Sequence, residues 1–124
     1  MGTGFHDLRV WQDAKALAIA AYRLSATLSD FGLRDQIRRA AVSVPSNIAE
    51  GDERDSDKDC VRCFYIAKGS LAELRTQLEI ASAVGALPES AVSPLLESAA
   101  AVGRQLGALI KARSSRAQSI AHRP

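Results

Sequence analysis

A chain of 124 residues is one domain's worth of material, too short to carry a separate cofactor domain. Apolar residues make up 47% of it, 22 positions are alanine and aromatics stand at only 5%, so the core must be built largely from small side chains. Such side chains gain less on burial than Leu, Ile or Phe, which favours self-association, and a net charge of +2 does not by itself announce a nucleic-acid binder.

Apolar residues recur at spacings of three and four in four blocks, and no sustained period-two alternation suggests a strand. The first helix is predicted from about Asp7 to Ser29, with Val10, Ala14, Leu17, Ala21, Leu24 and Leu28 on one stripe, widened by Trp11 and Ala18. Asp30-Phe31-Gly32 breaks the rhythm, and helix two then places Ile37, Ala41, Val44 and Ile48 on one face. Pro45 inside it removes a backbone donor and is expected to kink the helix or start a new turn. Gly51 stands where a left-handed cap would close helix two, leaving Asp52 to Ser56 as the connection.

Ser56 or Asp57 caps helix three, whose stripe Cys60, Phe64, Ala67, Leu71, Leu74, Leu78, Ala81 keeps a heptad rhythm. The segment from Gly85 to Pro88 ends it, and Pro88 suits the first turn of helix four. There Val92, Leu95, Leu96, Ala99, Val102, Leu106, Leu109 and Ile110 form a stripe broad enough to serve two neighbours. Beyond Arg113 the apolar periodicity fades, so residues 1–113 are expected to fold and residues 114–124 to form a flexible basic tail. The simplest all-α architecture is an up-and-down antiparallel four-helix bundle, with Leu17, Leu24, Ile37, Val44, Phe64, Leu71, Leu78 and Leu106 in its core.

Charge is distributed unevenly. Glu50, Asp52, Glu53, Asp55, Asp57 and Asp59 face only Arg54 and Lys58 in one stretch, whereas no acid follows Glu97 and Arg104, Lys111, Arg113, Arg116 and Arg123 do. Cys60 and Cys63, one helical turn apart, would furnish half of a zinc or redox site, but His6 and His122 lie near opposite ends of the chain. Cys60 is read as core. Asp55-Ser-Asp57-Lys-Asp59 imitates the start of a calcium loop, yet Cys60 and Ile66 stand where Gly and Glu are required, and carboxylates at a helix start explain the run better. There is no phosphate-cradling glycine loop and no nucleophile in a recognisable setting, so no catalytic residue, metal or cofactor is assigned and no enzymatic activity is expected.

No apolar run approaches the roughly 20 residues that span a bilayer, and the first residues lack the features of a signal peptide, so a soluble, cytoplasmic chain without a membrane partner is expected. Ser43 and Ser46 flank Pro45, and Asn47 and Glu50 are one turn apart, placed to serve backbone groups freed by the proline. Gly69-Ser70 and the Gly103/Gly107 pair are expected to let helices approach closely. Among the bases, Arg34 and Arg38 share a helix face and Asp35 is placed to pair with Arg39. Together with Lys68, Arg104, Lys111, Arg113 and Arg116, the arginines Arg34, Arg38 and Arg39 are the candidate nucleic-acid contacts. Phosphate contact should dominate, since Trp11 and Phe64 are claimed by the core and only Tyr65 beside Lys68 is free to stack.

Three blocks are distinctive: Phe5-His-Asp-Leu-Arg-Val-Trp-Gln-Asp-Ala14, then Gln36-Ile-Arg-Arg-Ala-Ala-Val-Ser-Val-Pro-Ser-Asn-Ile-Ala-Glu-Gly51, then Tyr65-Ile-Ala-Lys-Gly-Ser-Leu-Ala-Glu-Leu74. In that order they resemble the signature blocks of the 23S rRNA intervening-sequence proteins, a four-helix-bundle family, over roughly residues 5 to 110. The segment Leu28-Ser-Asp-Phe-Gly-Leu33 is shorter than the Phe-Pro-containing connection of many members. The resemblance implies a bacterial homopentamer without known catalysis. It extends to the accessory variability determinant of diversity-generating retroelements, a pentameric barrel that works with a reverse transcriptase and nucleic acid. The expected function is therefore a non-enzymatic oligomer that binds RNA or DNA without sequence readout. Its alternative is a scaffold that presents five copies of one surface to an RNA-processing or reverse-transcribing protein. On the first reading, replacing Arg38 and Arg39 or cutting the chain after Lys111 weakens binding to all sequences alike.

Overall fold

The computed structural model describes residues 4–121, with side chains through Gln118. A 3-10 turn, Gly4–Asp7, leads into α1 (Arg9–Ser25), α2 (Phe31–Asp52), α3 (Asp57–Ala83) and α4 (Glu89–Ala121), and no strand occurs among the described residues. Each helix packs on its neighbours in sequence, and α1 against α4 closes the set into a four-helix bundle. Phe64, Ile37, Ile48, Leu74, Leu78 and Leu106 are fully buried at its centre. Of the expected core, Leu17, Val44 and Leu71 are buried too, while Leu24 is only half-buried against the rim.

Local chemistry sets the helix ends. Asp30 accepts a hydrogen bond from the Leu33 N–H at 3.0 Å, and Ser56 accepts one from the Asp59 N–H at 3.1 Å, so each caps a helix start. At the far end of α3, Gly85 adopts φ 75°, with its N–H donating to the Ser82 carbonyl at 3.0 Å and the Ala86 N–H donating to Ala81 at 2.9 Å. This is a Schellman cap, a geometry that favours glycine because it has no Cβ.

The structure departs from the sequence expectations at several points. Helix α1 stops at Ser25 rather than Ser29, where the Ser25 and Thr27 hydroxyls donate to the carbonyls of Tyr22 and Leu24 at 2.7 and 3.0 Å. Hydroxyls that engage carbonyls at the end of a helix favour a turn over another helical residue, and Leu28 reaches the core from that turn. No new turn begins at Pro45, because α2 is continuous from Phe31 to Asp52. The Ser46 hydroxyl donates to Val42 O at 2.8 Å and the Asn47 amide to Ser43 O at 2.9 Å, so both serve carbonyls beyond that of Ala41, the one that loses its donor to Pro45. Glu50 takes no part in this and pairs with Arg54 instead.

Gly51 is not a left-handed cap, since it has no positive φ and lies buried within α2. A Cβ there would come within 2.8 Å of Phe64 Cε1 and 3.0 Å of Cys63 Cβ, so the glycine serves the close approach of α3. Gly69 and Gly107, by contrast, have nothing within 4 Å of an added Cβ, and Gly103 makes an ordinary contact with Leu71 Cδ2 at 3.5 Å. The expected tail is also helical as far as Ala121, held in part by ion pairs described below; Arg123 and His122 lie outside the described residues.

Two glycine substitutions should therefore have opposite signs. Gly51→Ala is expected to lower stability by about 1–3 kcal/mol through overpacking, and Gly69→Ala to raise it by up to about 1 kcal/mol through helix propensity. Chemical denaturation of the two variants measures both.

Candidate nucleic-acid interface

The sequence nominates bases on α2, α3 and α4, and the bundle gives them different surroundings. On α2, Arg38 is half-buried and bonds the end of α1, with Nε donating to Ser25 Oγ at 2.8 Å and Nη2 to the Tyr22 carbonyl at 3.4 Å. Its guanidinium lies 4.0 Å from the Tyr22 ring centroid. A cation over an aromatic face with two hydrogen bonds is a fastening between helices. Arg34 sits over Phe31 at 4.5 Å and pairs with Asp35 at 3.3 Å, so the expected Asp35–Arg39 pair is replaced by one with its immediate neighbour. Arg39 is exposed beside a polar groove that also contains Gln36, Ser43, Ser70, Glu73 and Gln77. Ser43 and Ser70 hydroxyls meet there at 2.7 Å, so Ser70, rather than Gly69, makes the close contact to α2.

Near the end of α4 the bases are already matched by acids. Arg116 binds both carboxylate oxygens of Asp57, with Nε at 2.7 Å and Nη2 at 2.5 Å, while Arg113 lies 3.5 Å from Asp52 and 3.7 Å from Asp57. The Asp57 side chain is only 10% exposed but Arg116 is 61% exposed, so this is a surface pair whose strength comes from its forked geometry. The Arg116 hydrogen bonds hold the Asp57 carboxyl below the usual carboxylate range. Arg113 also donates to Cys60 Sγ at 3.5 Å, but burial outweighs its pull and pushes that thiol up, which makes Cys60 an inert core group. Among the described residues no three His, Cys, Asp or Glu side chains gather as a metal site would require.

Because the folded state favours the Asp57 carboxylate, the lock on α4 contributes fully above the unfolded carboxylate pKa of about 4 and is lost as pH falls toward the lowered folded value. Amide protection across residues 111–118, measured as exchange relative to the intrinsic rate at each pH, should fall below about pH 4. In Asp57→Asn it should already be low at neutral pH.

A different situation holds between α3 and α4. Lys68 and Arg75 from α3 and Arg104 from α4 line one groove of about 380 Å³, floored by Leu71, Ala72, Ala100 and Gly103. All three bases are exposed, and none takes part in an ion pair among the described residues. Lys68 and Arg75 are seven apart, two turns along one helix face, and Lys111 stands seven beyond Arg104 on α4. The sequence reading named Lys68, Arg104 and Lys111 but missed Arg75, although its heptad spacing from Lys68 was the available signal. Small floor residues keep the groove open. Such an arrangement can hold the phosphates of a polyanion through charge-assisted hydrogen bonds.

No described helix is long and apolar enough to cross a membrane. No curated protein matches the chain in sequence. Among solved structures, it is similar to a protein with unknown function from the S23 ribosomal protein family of Bacteroides thetaiotaomicron VPI-5482. That likeness has a TM-score of 0.80 at 21% identity and covers 82% of this chain and 98% of the other, so it speaks for the fold. The profile of the 23S rRNA-intervening sequence proteins matches residues 6–108, spanning α1, α2, α3 and most of α4. With that match over most of its length and the fold already described, the chain belongs to the 23S rRNA-intervening sequence protein family.

Proposed function

We propose that the protein is a non-enzymatic nucleic-acid-binding accessory factor that grips phosphates through the α3–α4 groove without reading sequence. The observation that carries this reading is the convergence of Lys68, Arg75 and Arg104 on one groove with no carboxylate partner among the described residues. In the same chain Arg113, Arg116 and Arg34 are matched by acids, and Arg38 is tied to α1. Three or four phosphate contacts per chain give weak binding. The homopentamer implied by the family resemblance would present five such grooves, and linked weak contacts raise avidity without any new chemistry.

A second reading is favoured by Val42, Ile66 and Ile80, each about half-exposed on α2 and α3. Apolar side chains left open to water suit docking of a protein partner, and the protein would then be a scaffold for an RNA-processing or reverse-transcribing enzyme, akin to the accessory variability determinant.

Binding to labelled RNA and DNA across a salt series separates the two. On the first reading affinity falls steeply with salt, and Lys68→Gln, Arg75→Gln and Arg104→Gln each flatten the log–log slope by about 0.7–0.9. Arg116→Gln, whose charge already faces Asp57, should change the slope little. Absence of retention at low salt by the intact oligomer hands the function to the scaffold reading.

A further inference from the structure

We propose that the α3–α4 groove takes single-stranded rather than duplex nucleic acid, with Tyr65 stacking on an unpaired base beside the row of phosphate contacts. The proposal rests on the nucleic-acid reading above and names the class of strand that fits.

Tyr65 is singled out by what surrounds the other rings. Phe64 is wholly buried, and Phe5 and Trp11 lie within one cluster with His6, at ring centroid distances of 4.1 to 5.0 Å, with Lys15 over the Trp11 ring at 5.3 Å. Tyr22 is faced by the Arg38 guanidinium at 4.0 Å and Phe31 by Arg34 at 4.5 Å. Tyr65 is 55% exposed, and no ring or cation lies against it among the described residues. Among the described residues it is the exposed ring that no cation or second ring engages, whereas the exposed Phe31 and Tyr22 each already hold an arginine.

Its position on α3 is equally specific. Tyr65, Lys68, Ala72 and Arg75 follow at steps of three, four and three, which puts them in a line along one helix face. At 1.5 Å per residue that line is about 15 Å long. Across the groove stands Arg104 of the antiparallel helix α4, and Lys111 lies two turns, about 10 Å, farther along the same helix. Acids bound the strip at one end: Glu79 lies one turn beyond Arg75, and Glu97 two turns before Arg104. Toward Tyr65 and Lys111 α4 carries no acid at all. On α3, Asp57 and Asp59 stand about two turns before Tyr65, with Asp57 already held by Arg113 and Arg116.

Access to the base faces decides between the strand classes. In a duplex the base faces are covered by their neighbours. A single strand exposes them, and an aromatic ring beside basic groups binds any base by its π-face.

The test is fluorescence anisotropy of the full chain with a labelled oligothymidine, a labelled oligouridine and a duplex of the same length, at matched salt. Tyr65→Leu, with folding checked by circular dichroism, should weaken both single strands on the order of tenfold or more while leaving duplex affinity and the salt slope unchanged. Tyr65→Trp should retain single-strand binding and show fluorescence quenching beyond that of Trp11 alone. Duplex binding as tight as single-strand binding, or single-strand affinity indifferent to Tyr65→Leu, overturns this inference and leaves the nucleic-acid reading standing. Retention of no strand of either kind overturns both.

Discussion

The structure depends most on the close approach of α2 and α3 at Gly51. Phe64, wholly buried, occupies space that any Cβ at residue 51 would contest, and Cys63 presses the same spot. A ring locked into so small a recess fixes the rotation of α3 about its axis, because interiors are packed too densely for a helix to roll freely. Farther along the seam the Ser43–Ser70 hydroxyl contact at 2.7 Å fixes the same phase again. With that phase set, Leu71, Leu74 and Leu78 are buried in the core, Lys68 and Arg75 line the groove beside α4, and Tyr65 stands one turn before Lys68 on the same helix face. The candidate interface is a consequence of core packing on the opposite side of the same helix.

Electrostatics divides the bases into two groups with different tasks. Arg34, Arg38, Arg113 and Arg116 hold the bundle together, through rings, carbonyls and carboxylates of the same chain. Lys68, Arg75 and Arg104 have no such occupation among the described residues. The modest overall charge of +2 therefore understates the local field of the groove, because the acid-rich stretch between Glu50 and Asp59 is partly cancelled by the end of α4. Net charge is a poor guide to a surface on which Arg9, Arg34, Arg54, Arg113 and Arg116 already face acids of the same chain.

Most of the fold was legible in the sequence because period and caps agreed. The stripes through Ile37, Val44, Phe64, Leu78 and Leu106 are all buried as expected, and Ser56 caps α3 as its position suggested. What escaped depends on partners distant in sequence. A glycine before a charged run reads as a cap, and only the position of Phe64 shows that Gly51 makes room for a ring. Residues 114–118 lack an apolar stripe, yet Arg116 finds Asp57 across the bundle. For the candidate site, spacing picked out Lys68 and Arg104 but not the groove that joins them, and it could not show that Arg38 faces Tyr22 and Ser25.

The central claim is that the unneutralised groove between α3 and α4, and not the arginine-rich face of α2 or the end of α4, meets the polyanion. Amide chemical-shift mapping of isotope-labelled protein titrated with a short oligonucleotide addresses it directly. The account predicts that the perturbed amides cluster along residues 65–75 of α3 and 100–111 of α4. Perturbations centred on residues 34–39, or on 113–118 with the groove silent, would contradict it.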